Sequence, residues 1–386
     1  MAQHADLAIV GGGCAGLALA RDLSRAEYQG RVVLLEPRPA YADDRSWCFW
    51  EQPVHGLSHL VSQRWSAWEC STASGQAVTK KSHNRWYQYV RSLDYYRDAV
   101  AAIDSNPRCE RLRTSLDFFE PLTSGGFRLR TPQGDLEVGQ LVDTRPPVFK
   151  RLSGVPMFQS FVGREIELPE GRLSRPDVAT LMGNLRTEGR DILFDYILPI
   201  NNTRVLVEST RLSAAPVGIV KLEADLAGLL AARHWQDGRV LRQEHGVLPM
   251  GLPEESGSEI PGFARAGTGG GGLRAASGYG FLRIQRWARH CADALLGGGS
   301  VLAHPREPGW RRWMDSVFLN VLLDQPSLGP EVFFRLFAGH NPDRLVRFLS
   351  DQAGPVDVFS IMANLPFTPF SRQAVRLIRE RRPAWA

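Results

Sequence analysis

The first 36 residues combine two apolar runs with a glycine-rich segment between them. Leu7 to Val10 is continuously apolar, as in a strand buried on both faces, and Val32 to Leu35 has the same character. The glycines of residues 11–16 lie between these runs, and the residues from Leu17 onward have the spacing of a helix. The pattern predicts a strand, a tight turn, a helix and a second strand, in that order.

The glycine segment matches the fingerprint of a dinucleotide-binding turn. Gly11 would make the turn, Gly13 would let a pyrophosphate approach the backbone, and Gly16 would let the helix pack closely on the strand. The helix N-terminus would offer unpaired N–H groups to the phosphates, and Glu36 would accept hydrogen bonds from a ribose diol. The cofactor-binding residues predicted here are Gly11, Gly12, Gly13, Cys14, Ala15, Gly16 and Glu36.

A later segment has the features of a return to the same cofactor. Gly267 and Thr268 follow an expected strand, and Gly278 and Tyr279 precede a helical run from Phe281 to Leu296. A flexible glycine linker is the alternative, but the helix that follows at once favours a cofactor segment. Because the fingerprint opens the chain and this segment comes late, the expected dinucleotide is FAD.

Two more cofactor contacts are predicted between these segments. Arg45, in the aromatic-rich segment that follows Glu36, is placed to meet the diphosphate. Asp143 ends a hairpin built from residues 127–131 and 136–142. The neighbouring aromatic residues Trp47, Phe49 and Trp50 could wall a pocket or could equally be ordinary core.

A carboxylate stands in the middle of a second, strand-rich region. Two strands, 191–199 and 203–210, are predicted to be joined by a hairpin turn at Asn201 and Asn202. Alternation puts Glu208 on one face and Ser209 on the other. A carboxylate there either faces water or is buried with a raised pKa, and the residues alone slightly favour the water-exposed face.

Composition and charge limit the classes of function. Five cysteines without regular spacing argue against a disulfide framework and favour a reducing compartment, and no cluster has the spacing of metal ligands. No apolar run is long enough to span a bilayer, and no signal peptide is visible. The net charge is +5, but scattered arginines argue against nucleic-acid binding and permit a basic face toward anionic lipid.

The C-terminal part, from about Trp310, has helical spacing interrupted by prolines, and its many phenylalanines suit a core, an apolar tunnel or a membrane-facing edge. The whole pattern predicts an α/β (α+β) fold: a Rossmann-like FAD-binding fold with an inserted β-sheet substrate lobe and a helical C-terminal region. The predicted boundaries are 1–146 with 240–305 for the discontinuous FAD-binding domain, 147–239 for the substrate lobe and 306–386 for the helical region.

The chain resembles the bacterial lycopene β-cyclases of the soluble flavoprotein type. The motifs that carry the resemblance extend over nearly the whole sequence. They are DLAIVGGGCAGLALA at 6–20, RSWCFWE at 45–51, VDTRPP at 142–147, PDVATLM at 176–182, FDYILPINNTRVLVEST at 194–210, GVLPM at 246–250, GLRAASGYGFLRIQRWA at 272–288, RFLSD at 347–351 and IMANLPFTPF at 361–370.

The resemblance implies an activity and a catalytic acid. Such enzymes bind FAD, need it reduced by NADPH or another donor, and convert the ψ-end groups of a linear carotenoid into β-rings without net redox change. Their acidic strand motif falls on residues 206–210, so that Glu208 becomes the expected catalytic acid. Some members carry a second acidic residue where Ser209 stands here, so the resemblance gives no support for a paired-carboxylate mechanism. The implied location is the cytoplasm, peripherally on the inner face of the membrane.

Three other interpretations stay open from the sequence. One is a related cyclase acting on another prenyl chain, and another is a non-catalytic carotenoid or flavin carrier. The third is an FAD-dependent monooxygenase. Such enzymes commonly carry Asp-Gly and Gly-Asp pairs where this chain has Asp143-Thr144 and Gly267-Thr268, which weakens that interpretation. The oligomeric state is not predicted.

Overall fold

The computed structural model describes residues 3–147, 152–251 and 260–380, whose strands form three β-sheets. The strands are β1 (Gln3–Val10), β2 (Val32–Leu35), β3 (Ser46–Glu51), β4 (Val61–Trp65), β5 (Ala67–Thr72), β6 (Ala77–Lys81), β7 (Trp86–Arg91), β8 (Cys109–Leu112), β9 (Phe118–Pro121), β10 (Phe127–Thr131), β11 (Gly134–Asp143), β12 (Met157–Glu167), β13 (Val178–Glu188), β14 (Asp191–Pro199), β15 (Arg204–Ser213), β16 (Arg239–Met250) and β17 (Phe263–Arg265).

Helices cover these sheets and form the C-terminal part. They are α1 (Cys14–Arg25), α2 (Ser92–Asp104), α3 (Ile219–Ala232), α4 (Phe281–Leu296), α5 (Gly309–Asp324), α6 (Gly329–Ala338), α7 (Pro342–Leu349), α8 (Pro355–Ala363) and α9 (Phe367–Glu380). The helical C-terminal region is thus confirmed as far as residue 380, and residues 381–386 lie outside the described ranges.

The first sheet has the parallel core expected of a dinucleotide-binding fold. Its order is β8-β2-β1-β11-β10-β9, with β17 parallel to the end of β11 and β9–β10 added as antiparallel strands. Leu7 and Ile9 pack toward α1, α2 and α4, whereas Ala8 and Val10 pack on the opposite side. Because both faces are covered, the strand is continuously apolar. The predicted strands 7–10 and 32–35 and the predicted hairpin are confirmed.

The second sheet has the order β16-β12-β15-β14-β13-β5-β6. One face packs on α3, and the other packs on the C-terminal helices and on a small third sheet, β3-β7-β4. The predicted β14–β15 hairpin is present, although β15 begins at Arg204 and continues to Ser213. The longer strand follows from its pairing on both sides, with β14 and with β12.

Strand pairing differs from the division of the chain drawn from the sequence. Strands β5 and β6 fall within 1–146, and β16 falls within 240–305 except for its first residue, yet all three belong to the second sheet. Strand β5 runs parallel to β13 and buries Trp68 and Cys70, and β16 pairs along the length of β12. Pairing between distant segments satisfies the backbone groups of edge strands, which local patterns do not reveal. The domain boundaries themselves stay a prediction.

Candidate active site

A cavity of about 920 Å³ extends from the glycine turn, past the second sheet, to the C-terminal helices. Its first end is lined by the loop after β1, the end of β2 and the segment between β17 and α4. Its other end is lined by aromatic and aliphatic side chains of α5, α6, α7 and α8, among them Met314, Phe318, Phe333, Phe337 and Ile361. One continuous space therefore joins the predicted cofactor residues to an apolar pocket.

The glycine turn has the geometry that a bound pyrophosphate requires. Gly11 has a φ of +96°, and a Cβ on Gly16 would lie 1.9 Å from the carbonyl oxygen of Gly11. A Cβ on Gly13 would meet nothing within 4 Å, because this residue faces the cavity. Helix α1 begins at Cys14, earlier than the predicted start at Leu17, and no side chain caps its N-terminus. The first backbone N–H groups of α1 are therefore available to an anion.

Glu36 lies at the edge of this part of the cavity, held in place by neighbours. Its carboxylate accepts hydrogen bonds from the backbone N–H of Gly12 at 2.7 Å and from that of Arg38 at 2.9 Å. Burial raises its pKa, but the hydrogen bonds and charge of Arg38 outweigh burial, so the pKa of Glu36 is lowered. An ionised, oriented carboxylate at this place fits a ribose diol. Arg38 is not among the residues predicted from the sequence, where its only signal is its position two residues after Glu36.

Arg45 and Asp143 occupy different places relative to the cavity. Arg45 lines it, and its guanidinium donates to the carbonyl oxygen of Asp44 at 2.6 Å. Asp143 is buried, is absent from the cavity wall, and accepts hydrogen bonds from the guanidinium of Arg145 at 2.9 and 3.0 Å. Thr144 lines the cavity instead, and its hydroxyl donates to the carbonyls of the β1 turn. Thr144, one residue beyond the predicted Asp143, therefore borders the cavity in its place.

The late glycine segment also borders the cavity. Gly267, Thr268, Gly278 and Tyr279 all line the cavity. The N–H of Gly267 donates to Nε2 of His304 at 3.1 Å, and burial with the nearby Arg283 lowers the pKa of His304 to about 3. A neutral imidazole keeps an acceptor for that N–H over the physiological pH range.

The fold brings most of the predicted cofactor residues to the wall of the cavity. Gly12 and Gly16 lie behind the turn rather than on the cavity wall. Of the three neighbouring aromatic residues, Trp47 lines the cavity, whereas Phe49 and Trp50 belong to the core. The predicted residues on the wall are Gly11, Gly13, Cys14, Ala15, Glu36, Arg45, Gly267, Thr268, Gly278 and Tyr279.

Glu208 faces the middle of the cavity from β15, as do Thr210 and Leu212. The slight preference for a water-exposed face is wrong, because the C-terminal helices and the third sheet cover this face of the second sheet. Burial raises the pKa of Glu208 well above its usual value; the nearby carboxylate of Glu244 raises it further, and Arg242 opposes both. Ser209 is buried on the opposite face, toward α3, as strand alternation predicted.

A second carboxyl group, missed by the sequence analysis, accompanies Glu208. Gly163 on β12 is paired with Glu208 on one side and with Glu244 on the other. A Cβ on Gly163 would lie 2.5 Å from Cγ of Glu208, so the glycine leaves the space in which the two carboxyl groups meet. Position 209 supplies no second carboxyl group, as the serine there implies, but strand β16 brings the carboxyl group of Glu244 next to Glu208. Its only sequence signal is that Glu244 stands two residues before the GVLPM motif.

Comparison with known proteins finds similarity over most of the chain. A protein-family model described as lycopene cyclase protein matches residues 6–375. A lycopene beta-cyclase of Pantoea ananas is 22% identical over 393 residues, which are 96% of this chain and 97% of the relative.

Solved structures with low identity share the fold. A geranylgeranyl bacteriochlorophyll reductase-like protein of Thermoplasma acidophilum has a TM-score of 0.62 and 13% identity, over 98% of this chain and 100% of that one. A variant of the halogenase PltM, solved in complex with FAD, has a TM-score of 0.58 and 11% identity, over 98% of this chain and 93% of that one. The α/β architecture predicted from the sequence is therefore confirmed, because these structures share it over nearly the whole chain.

Proposed function

The chain belongs to the lycopene cyclase protein family, and from this premise we propose that it is an FAD-dependent lycopene β-cyclase that closes β-rings on the ψ-end groups of lycopene without net redox change. The observation that carries the proposal is Glu208, a buried carboxyl group that faces an apolar cavity continuous with a dinucleotide-type turn. The family assignment supports the class of reaction, and the cavity is the space in which the substrate would bind next to Glu208.

The residues at the first end of the cavity fit FAD. The open space at Gly13 and the uncapped start of α1 suit the pyrophosphate, and the oriented carboxylate of Glu36 suits the adenosine ribose. Thr268 and Tyr279 would lie on the flavin side, between this end and Glu208. When bound and reduced, with NADPH as the proposed electron donor, FAD would supply negative charge that stabilises a nearby carbocation.

Glu208 would act as the acid and then as the base. Burial raises its pKa well above the usual value, and with such a pKa it would hold a proton at neutral pH. That proton would form a C–H bond with the end-group alkene, and the electron pair of a neighbouring alkene would form the ring C–C bond. A ring C–H bond would then break, and its proton would return to the carboxylate of Glu208. Atoms and electrons balance, so the product is an isomer of the substrate.

The rest of the cavity wall would protect the cation. Tyr196 is paired with Glu208 across β14 and β15, and its hydroxyl lies 2.6 Å from that of Tyr87. Both rings border the cavity beside Glu208 and present aromatic faces and edges in place of water. A carbocation in such surroundings is shielded from hydrolysis, and aromatic rings attract positive charge.

The apolar end of the cavity fits a long hydrocarbon, and the surface beside it fits a membrane. Phe367, Val375 and Ile378 form an exposed stripe along α9, and Val356 and Phe359 are exposed on α8. Ile361, Met362 and Leu365, from the end of α8 and the turn that follows it, line the cavity. Exposed arginines lie on the same helix as the stripe: Arg372, Arg376 and Arg379.

These features support the proposal of peripheral binding to an anionic bilayer. We place that binding on the inner face of the cytoplasmic membrane as part of the same proposal, with lycopene entering beside α8. Apolar side chains interleaved with arginines are typical of helices that lie in a lipid interface. Within residues 3–147, 152–251 and 260–380, no helix is both long and apolar enough to cross a bilayer.

The membrane proposal predicts a lipid-dependent loss of binding. The double substitution Phe359→Ser and Phe367→Ser should reduce binding to vesicles of phosphatidylcholine with phosphatidylglycerol by at least about tenfold, since two exposed phenyl rings no longer enter the lipid. Phe118→Ser removes an exposed phenyl ring from β9, at the far edge of the first sheet, and is the matched control. Equal flotation of the double variant and wild type with these vesicles would reject this surface.

Expression in lycopene-accumulating bacteria tests the function directly. Pigment analysis should show β-carotene, or its one-ring precursor, in place of lycopene. Unchanged lycopene with a purified, flavin-containing protein would favour a cyclase for another prenyl chain or a carrier. Oxygenated carotenoids would favour a monooxygenase.

A further inference from the structure

The buried face of the second sheet around Glu208 carries a connected group of charged side chains. Arg242 on β16 donates to Glu165 at 2.8 Å and to Glu244 at 3.1 Å, and lies 3.5 Å from Asp43. Glu165 also pairs with Arg204, and Asp43 pairs with Arg91 at 2.5 Å. Arg242, Glu165 and Glu244 are all nearly inaccessible to solvent.

The charges in this group do not balance if every member is ionised. In the described part of the chain, these contacts link four carboxyl groups to three guanidinium groups. The carboxyl groups are those of Asp43, Glu165, Glu208 and Glu244, and the guanidinium groups are those of Arg91, Arg204 and Arg242. An unpaired buried charge is costly, so one carboxyl group is expected to keep its proton. Two adjacent carboxylates likewise favour sharing a single proton.

The hydrogen bonds identify which carboxyl group keeps the proton. The oxygens of Glu244 accept from Ser46 Oγ at 2.7 Å and from Arg242 Nη1 at 3.1 Å, as an ionised carboxylate does. Glu208 has Glu244 as its carboxyl partner and otherwise borders the cavity. Glu208 is therefore the protonated member, and Glu244, which does not line the cavity, lies behind it.

The other titratable groups that face Glu208 carry no charge at neutral pH. These are Cys48 on β3, Tyr196 on β14, Tyr87 on β7 and Tyr279 in the late glycine segment. Burial is the largest cause in each case, and it raises the pKa of all four. The charged groups left to control the proton of Glu208 are Glu244 and Arg242, both on β16.

We propose that Glu244 is a positioning residue that keeps the proton on Glu208, through a carboxyl–carboxylate hydrogen bond across the gap left by Gly163. This role rests on the proposed function, because it concerns the acid of that reaction. The negative charge of Glu244 favours the protonated form of Glu208, and it makes the Glu208 carboxylate a stronger base for the returning ring proton. Gly163 is needed because any larger side chain would occupy the space of the pair.

The pH profile of Glu244→Gln tests the proposal. Without the neighbouring charge, Glu208 ionises at lower pH, so the alkaline fall of kcat should occur at least about one pH unit lower than in wild type. Activity lost at neutral pH should return as the pH is lowered, which a merely structural defect would not allow. Glu244→Asp keeps the charge and should keep an alkaline fall closer to that of wild type. Glu167→Gln, at an exposed position on β12 beyond Glu165, is the matched control with an unchanged profile.

Infrared spectroscopy tests the pair without substrate. The wild-type protein at neutral pH should show the C=O stretch of a buried, protonated carboxyl group, and Glu208→Gln should lack it. In Glu244→Gln the band should be present only at lower pH. The proposal is overturned if the wild-type protein lacks this band. It is also overturned if a folded Glu244→Gln variant has the band and the pH profile of wild type. If Glu244→Gln does not fold, the spectrum of Glu244→Asp against pH still decides, because withdrawing the neighbouring carboxylate by one methylene should let Glu208 ionise at a somewhat lower pH than in wild type. Because no lycopene is involved, the outcome is independent of whether lycopene is the substrate.

Discussion

At Glu208 the second sheet brings a carboxyl group into an apolar cavity, and the neighbours of that residue decide its chemistry. Burial and the adjacent Glu244 raise its pKa, while the residues beside it along β15 are arranged by simple alternation. Ser209 is fully buried on the other face, where its hydroxyl has no hydrogen-bond partner among the described residues. We therefore expect substitution of Glu208 to affect activity strongly and substitution of Ser209 to affect it little.

Glu208→Gln should abolish most cyclisation while leaving the fold intact. The amide is nearly isosteric and keeps hydrogen bonds, but it has no proton of useful acidity, so ring formation should fall by at least about a hundredfold. Glu208→Asp, which withdraws the carboxyl by one methylene, should lose less activity. The measurement is product formation by protein with a normal flavin spectrum. Near-normal product from Glu208→Gln would remove this residue from the mechanism.

Ser209→Ala is the control at the neighbouring position, and we expect only a mild effect on activity. The hydroxyl faces α3 rather than the cavity, and replacing an unpartnered buried hydroxyl by a methyl group costs little stability. A large loss of activity would mean that both faces of β15 serve the reaction.

The raised pKa of Glu208 also predicts how stability depends on pH. The folded state holds this proton more tightly than the unfolded state, so the contribution to stability is present below the unfolded pKa and is lost as pH rises toward the folded pKa. Glu208→Gln removes this loss. Its melting temperature, relative to wild type, should rise between pH 5 and pH 9 by at least about 2 °C. A constant difference in calorimetry over that range would argue against a protonated Glu208.

At the scale of elements, the β1–α1–β2 unit determines whether a dinucleotide can bind. Gly13 and Gly16 stand three residues apart but face different surroundings. Gly13 opens to the cavity, whereas Gly16 contacts the backbone of Gly11. A larger side chain should therefore impair dinucleotide binding at Gly13 and folding at Gly16.

Gly13→Val should yield a folded protein without flavin. The added side chain meets no protein atom within 4 Å of its Cβ, but it fills the space into which a pyrophosphate would come. Gly16→Ala should instead prevent folding, because its Cβ would overlap the carbonyl oxygen of Gly11. Circular dichroism and the visible flavin spectrum distinguish these results. A Gly13→Val protein that purifies with full flavin would contradict the assignment of this turn.

Elements with a strong local pattern could be predicted from the sequence, and those formed by distant pairing could not. The strands around the glycine turn, the β14–β15 hairpin and the face of Glu208 relative to Ser209 follow from apolar runs, turn residues and alternation. The partnership of Glu208 with Glu244 depends on the register of β12 and β16, which no local pattern encodes. The burial of Glu208 likewise depends on helices far along the chain.

At the scale of the whole molecule, buried ion pairs fasten the C-terminal helices to the cofactor side of the cavity. Arg274, in the late glycine segment, binds Asp315 of α5 at 2.9 Å and also pairs with Asp351, which follows α7. Arg283 of α4 pairs with the same Asp351. These ion pairs hold the wall of the apolar pocket and the predicted flavin side as one unit, as the proposed reaction at their junction would require.

The proposed chemistry predicts that turnover needs reduced flavin but no continuing supply of electrons. In the acid–base mechanism proposed for Glu208, the substrate takes up one proton and later returns one to the carboxylate of Glu208. The product therefore has the oxidation level of the substrate. Dithionite-reduced protein, kept anaerobic, should therefore cyclise lycopene over many turnovers without NADPH. The measurement is product formed per flavin, with NADPH oxidation followed in parallel under air. Oxidised protein under the same anaerobic conditions is the control and should be inactive. Oxygen uptake or NADPH oxidation in a one-to-one ratio with product would instead identify a monooxygenase, for which Glu208 would not be the acid that matters.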